Sequence, residues 1–283
     1  MKNDFLLAPY IDKYKHNANC ILLVGSRAEG FSTRTSDIDL IIITEHPEEY
    51  GVKSNHYVIS SENGIKIEML IITKSDIKEL IKVAFMKEDF YSLQKILFGK
   101  IIFGYWDVDR QILQKEFRTR YYIKNTDQAL KMYAALEGIK CDCHLQQYAF
   151  SLKKYMEKIA EIYLFKLGDN YIKPRWLISR LIRTEGEHSE LLNTYFTTIN
   201  LSITNTKDID ELERQVMTTT GLMLYTAIYE QNRIIDTKEL RGDVSFFAME
   251  REGQIVLFLG KEAFLISKEK AKQLIENMIF KIT

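Results

Sequence analysis

Two aspartates two residues apart stand in the run Ser36-Asp37-Ile38-Asp39-Leu40. Alternation along an extended chain puts Asp37 and Asp39 on one face and sends Ile38 and Leu40 to the other. Two carboxylates side by side repel each other without a cation. They make a hard-oxygen site suited to Mg²⁺, which takes one or two carboxylates and fills its other positions with water and substrate phosphate. Upstream lies Gly25-Ser26-Arg27-Ala28-Glu29-Gly30. Gly25 lets the backbone approach a ligand closely. N–H groups at the start of the next helical turn can bind phosphate, the Ser26 hydroxyl can add a hydrogen bond, and Arg27 is a candidate triphosphate contact or else a surface cation. Gly-Ser alone and Asp-x-Asp alone say little. The joint order of strand, Gly-Ser, Gly, Ser-Asp-x-Asp and strand is far more specific.

The elements that must position these groups are legible nearby. The apolar run Cys20-Ile21-Leu22-Leu23-Val24 ends at Gly25 and reads as a buried strand closed by a turn. Asp37 to Leu40 runs into Ile41-Ile42-Ile43-Thr44, a second buried strand. Residues 55–60 and 65–72 flank Glu62-Asn63-Gly64, a hairpin signal. In its second arm Ile65, Ile67, Met69 and Ile71 alternate with Lys66 and Glu68, which places Glu68 on one face of a half-buried strand. A short amphipathic helix over 4–16, with Phe5, Leu6, Tyr10 and Ile11 as its apolar side, precedes the first strand.

Beyond Thr73 the pattern turns helical. Ser75-Asp76 can cap a helix running to about Phe98, and Ile101-Ile102-Phe103 reads as one further strand. The longest helical segment spans roughly 126–166 and is stopped by Gly168-Asp169-Asn170. Shorter helices follow near 175–184, 188–199 and 208–233. Strands return at 244–249, 255–259 and 263–266, with turns at Glu252-Gly253 and Gly260-Lys261, before a last helix near 268–279. The spacing predicts an α+β chain: an α+β domain over 1–105, a helical domain over 106–240, and a small α+β appendix rich in β-strand over 241–283.

Bulk properties narrow the class. Hydrophobic residues make up 46% and charged residues 28%, as in ordinary globular proteins. Lys plus Arg and Asp plus Glu both number 39. A dedicated nucleic-acid binder usually carries a basic excess, so the balance favours a small or mixed acceptor. Three cysteines give no disulfide framework, the N-terminus lacks a signal-peptide plan, and no apolar stretch spans a bilayer. A cytoplasmic protein is expected, with no membrane partner and an oligomeric state left open. Cys141-Asp142-Cys143-His144 invites a metal reading, but residues two apart on a helix do not share a face. Packing is the better reading. Lys153-Lys154 and Lys173-Pro174-Arg175 are mildly basic and read as solvated faces or as a nucleotide contact.

Gly25-Ser26, Gly30 and Ser36-Asp37-Ile38-Asp39-Leu40 together resemble the mark of the polymerase-β-like nucleotidyltransferase superfamily. The wording is most similar to the minimal and the aminoglycoside nucleotidyltransferases, and the likeness covers residues 20–72. It implies a nucleotidyltransferase catalytic domain over 1–105, built as a mixed β-sheet with flanking helices, with phosphates cradled at Gly25, Ser26 and Arg27. It further implies two Mg²⁺ ions on Asp37 and Asp39, and ATP or another NTP as substrate. Such enzymes often use a third carboxylate on a neighbouring strand. Glu68 fits by position, as metal ligand or proton acceptor, although the family more often has Asp there. Glu137 in the helical part is the fallback base, because some antibiotic-modifying relatives supply a glutamate from that domain.

The expected activity is therefore transfer of a nucleoside monophosphate, AMP above all, to a hydroxyl of a small molecule such as an aminoglycoside-like or lincosamide-like antibiotic. Two rivals stand beside it. One is nucleotidylation of a protein or tRNA within a toxin–antitoxin or defence system. The other is a nucleotide-binding interaction module without catalysis, against which the intact Asp37/Asp39 pair speaks.

Overall fold

The computed structural model describes residues 4–62, 64–142, 144–229, 246–259 and 262–279. The expectations placed on Asn63, Cys143, Val244-Ser245, Gly260-Lys261 and residues 230–233, and on the side chains of Phe5, Leu6, Glu62, Glu137, Cys141 and Asp142, lie outside what it describes. The chain divides into two compact units, Met1–Tyr121 and Tyr122–Thr283.

The first unit is built on a five-stranded sheet. Its strands are β1 (Cys20–Val24), β2 (Ile38–Ile43), β3 (His56–Glu62), β4 (Ile65–Ile72) and β5 (Lys100–Gly104). The order is β3-β4-β2-β1-β5. The β2–β4 pair is parallel and the other pairs are antiparallel, so the sheet is mixed. Helix α1 (Asp4–Tyr14) covers one face. There Tyr10 packs with Ile21, Leu23, Ile38, Leu40, Ile42, Ile67, Met69 and Ile71. These are alternate residues of three strands, as period two requires, and each buried Leu or Ile contributes about 1.5–3 kcal/mol. The intervening residues, including Asp39 and Glu68, belong to the opposite face.

The expected helix from 75 to 98 is two helices, α3 (Lys74–Met86) and α4 (Phe90–Phe98). Glu88 takes a φ of 52° between them, and Asp89 caps α4 by accepting from Ser92 N–H at 3.1 Å. A carboxylate that starts a second helix ends the first. The cap of α3 is Thr73, whose hydroxyl accepts from Asp76 N–H, so the helix begins earlier than Ser75-Asp76 suggests. Helix α4 packs on β1, burying Leu93, Ile96 and Leu97 and leaving Lys95 partly exposed.

The long helical stretch is likewise divided. Helix α5 spans Arg110–Asp142 and α6 spans Leu145–Lys166, with His144 in the N-cap position of α6. In the second unit α6 packs on α9 (Thr206–Tyr229), with α7 (Leu177–Glu185) and α8 (Glu190–Asn200) between them in sequence. Buried Thr219 and Thr220 return their hydroxyls to Gln215 and Val216 carbonyls, which satisfies them inside the helix. A three-stranded antiparallel sheet follows: β6 (Phe247–Arg251), β7 (Gln254–Leu259) and β8 (Glu262–Ser267). Helix α10 (Lys268–Ile279) comes last. The sheet shares one core with the helices of its unit. Phe246, Phe247 and Ile255 are buried with Tyr155, Ile159, Val216 and Met223, and Gly221 leaves room for the Phe246 ring 3.0 Å from where a Cβ would stand. No described helix is long and apolar enough to cross a membrane.

Candidate active site

The site is built where β1 ends and β2 begins. The one-turn helix α2 (Gly25–Ala28) follows β1 directly. Gly25 has a φ of +73°, and a Cβ there would stand 2.3 Å from Asp39 Oδ2 and 3.1 Å from its Cγ. Glycine is required twice over at this point. The left-handed backbone disfavours a side chain, and the space is filled by a carboxylate. The register explains the contact, because Val24 lies opposite Asp39 in the β1–β2 ladder.

The loop from 29 to 37 is tied down on both sides. Phe31 N–H donates to Ser26 O at 2.9 Å. Ser36 Oγ accepts from Thr33 N–H at 2.8 Å, and Ser36 N–H donates to Thr33 O at 3.2 Å, closing a turn. Arg27 is buried, at 7% exposure. It donates from Nε to the carbonyls of Ser36 and Asp37, each at 3.1 Å, and from Nη2 to Ser36 O. Its guanidinium thus holds the backbone that carries the first aspartate. It is not a surface cation. Ser26 is also buried, and the α2 N-cap position belongs to Val24 with no side-chain cap. A capping role for the Ser26 hydroxyl is therefore not what the fold uses.

Asp37 immediately precedes β2, and Asp39 is its second residue. Glu68 on β4 is the register partner of Asp39. Asp39 and Glu68 therefore lie side by side on adjacent inner strands, with Asp37 just before the start of β2. Each of the two register partners meets an ammonium. Lys95 Nζ lies 3.4 Å from Asp39 Oδ1, and Lys66 Nζ donates to Glu68 Oε1. That bond to Glu68 holds the Lys66 ammonium above its usual range, and the charges of Glu68, Asp37 and Asp39 add to the effect. All three acids therefore act on one cation.

A cleft of about 120 Å³ opens on this face, lined by Asp39, Glu68, Lys95, Ser92 and Tyr57 among others. Lys95, Ser92 and Tyr57 were not singled out by the sequence. Lys95 comes from a helix far along the chain, and Tyr57, 63% exposed, looks like any aromatic on an edge strand. Of the basic residues noted in the second unit, Lys153 donates to the carbonyls of Ile199 and Leu201 and Lys154 pairs with Glu157.

The donor chemistry fits a hard divalent cation at Asp37 and Asp39. Both are carboxylates, neither is fully buried, and glycine at residue 25 leaves the Asp39 carboxylate the space a side chain there would fill. Among the described residues, no group of three His, Cys, Asp or Glu side chains is gathered as a metal cluster. Lys66 and Lys95 neutralise Glu68 and Asp39 instead.

Residues 13–115 match the family model described as nucleotidyltransferase domain. A nucleotidyltransferase-like protein from Exiguobacterium sibiricum 255-15 has a similar structure at 12% identity, over 94% of this chain and 97% of that one, with a TM-score of 0.37. No curated protein matches the chain.

Proposed function

We propose, from the match of residues 13–115 to a nucleotidyltransferase domain, that the protein is a polymerase-β-like nucleotidyltransferase and transfers AMP from ATP to a hydroxyl of a small-molecule acceptor, in a magnesium-dependent reaction. The observation that carries this reading is the Asp39 carboxylate lying over the backbone of Gly25, within a segment that Arg27 clamps at Ser36 and Asp37. Asp37 and Asp39 would hold the metal. Magnesium, when bound, supplies charge neutralisation on the phosphates of the nucleotide.

The chain's own residues do the rest. Ser26 and the backbone N–H groups of the α2 turn bind phosphate oxygens, while Gly25 makes room for Asp39. Arg27 keeps Asp37 in register with Asp39. Glu68, released from Lys66, accepts the proton of the acceptor hydroxyl. The acceptor oxygen bonds to the α-phosphorus as the α–β phosphoanhydride breaks, and pyrophosphate leaves. Positioning and charge neutralisation account for most of the rate in such chemistry. The equal counts of 39 acidic and 39 basic residues favour a small acceptor over a long polynucleotide, with an aminoglycoside-like or lincosamide-like antibiotic as the first class to try.

The test is incubation with each α-labelled NTP and Mg²⁺, against a panel of hydroxylated antibiotics and cell extract. The reading expects label from ATP on a small molecule and none with Asp39→Asn. Label on protein or RNA would overturn the choice of acceptor. No incorporation from any NTP, with any acceptor, would overturn the activity.

A further inference from the structure

Lys95 stands on α4 with its Nζ 3.4 Å from Asp39 Oδ1, and the two side chains are 25% and 18% exposed. It lines the same cleft as Asp39, Glu68, Ser92 and Tyr57. The backbone beneath it is fixed. Leu93, Ile96 and Leu97 are buried, α4 packs on β1, and Asp89 caps the helix through Ser92 N–H. Only the four-carbon stem is free to move the charge. A lysine ammonium is a compact point charge with three donors and no fixed geometry, and it binds phosphate well in that form.

The position creates a competition. A divalent cation held by Asp39 and the Lys95 ammonium want the same carboxylate, and two cations cannot share it without repulsion. A cation arriving alone competes with Lys95 for Asp39 and brings no phosphate for it. A cation arriving with a nucleotide brings phosphate oxygens into the cleft, within the sweep of the lysine stem.

We propose that Lys95 is a nucleotide-binding residue held on Asp39 in the free site, which passes to a phosphate oxygen of the nucleotide when a divalent cation takes the carboxylate. This rests on the nucleotidyltransferase reading above. Its consequence is coupling. The lysine weakens binding of the bare cation and strengthens binding of the nucleotide with its cation, so each favours the other.

The experiment measures two affinities on the full chain. Mn²⁺ alone is titrated by electron paramagnetic resonance. A non-hydrolysable ATP analogue is titrated by calorimetry at saturating Mn²⁺. Lys95→Met should bind bare Mn²⁺ about twofold to fivefold more tightly, the range of a partly exposed ion pair. It should bind the analogue about tenfold or more weakly, as expected for loss of a charged hydrogen bond. Lys95→Arg should recover most of the analogue affinity. Lys95→Gln serves if the methionine variant does not fold. A purely structural lysine would move both affinities in the same direction, or neither, and either result overturns the inference. The nucleotidyltransferase reading has its own check. If wild type binds no Mn²⁺ even in the presence of the analogue, or Asp39→Asn binds it equally well there, that reading falls and this inference falls with it. If wild type binds Mn²⁺ through Asp39 and Lys95→Met changes neither affinity, this inference alone falls.

Discussion

The carboxylate of Asp39 occupies the space that a side chain at residue 25 would need, with Oδ2 2.3 Å from the ideal Cβ position. A strand end, a helical turn and a carboxylate are thereby compressed into one point. Gly25→Ala should suffer twice. The φ of +73° costs an L-residue about 1–2 kcal/mol, and the methyl group pushes Asp39 aside. Chemical denaturation should show a loss of that order or somewhat more, and AMP transfer should fall at least about 100-fold. A variant that kept half the wild-type rate would show that Asp39 need not stay where it is.

Asp37→Asn and Asp39→Asn should abolish transfer while the fold survives. Both side chains are partly exposed and neither belongs to a core cluster. The Asp39–Lys95 pair at 3.4 Å contributes at most about 1 kcal/mol to stability. Melting temperature should stay near wild type. Retention of more than about a tenth of the rate would contradict metal-assisted chemistry, because lost coordination costs several kcal/mol.

Arg27→Lys should separate positioning from charge. The substitution keeps a cation but loses the planar fork that spans the Ser36 and Asp37 carbonyls. The expected stability loss is about 1–3 kcal/mol, together with faster proteolysis of the 29–37 loop and reduced transfer. Normal stability and normal loop protection in this variant would show that the carbonyls need no such clamp.

On the proposed function, Glu68→Gln should leave nucleotide affinity largely intact, because Asp37 and Asp39 would still hold the cation, while single-turnover transfer should fall at least about 100-fold for want of a proton acceptor. Measuring both on one preparation separates binding from chemistry. Normal turnover would move the base elsewhere, with Glu137 the first to replace.

The Cys20 thiol is fully buried in β1, and burial pushes its pKa from 9.0 up to about 11 against a smaller opposing effect of Arg110. Its folded value lies above its unfolded one. The stability it contributes is complete below about pH 9 and is lost as pH rises towards 11. Denaturation curves at steps between pH 8 and 11 should fall more steeply for wild type than for Cys20→Ala. Equal slopes would show that the thiol titrates normally in the fold.

Local spacing alone determined that Ile38 and Leu40 are buried while Asp39 between them is not. It determined that a glycine stands where a strand gives way to a helical turn, and that Glu68 alternates with core residues. These are consequences of a two-residue period and of steric limits on φ, and both act within a few residues. The breaks at 87–89 and at His144 were hidden because apolar periodicity continues through them, and a single cap residue such as Asp89 decides the matter. Only the tertiary structure decided what faces the aspartates. The parallel pairing that sets Glu68 beside Asp39 depends on how β4 returns to β2. The Arg27 guanidinium finds the carbonyls of residues 36 and 37 because the loop folds back. Lys95 reaches Asp39 across 56 residues of chain. A spacing rule has no range at that separation, so a lysine on a helix face reads as solvated until packing turns that face towards a carboxylate.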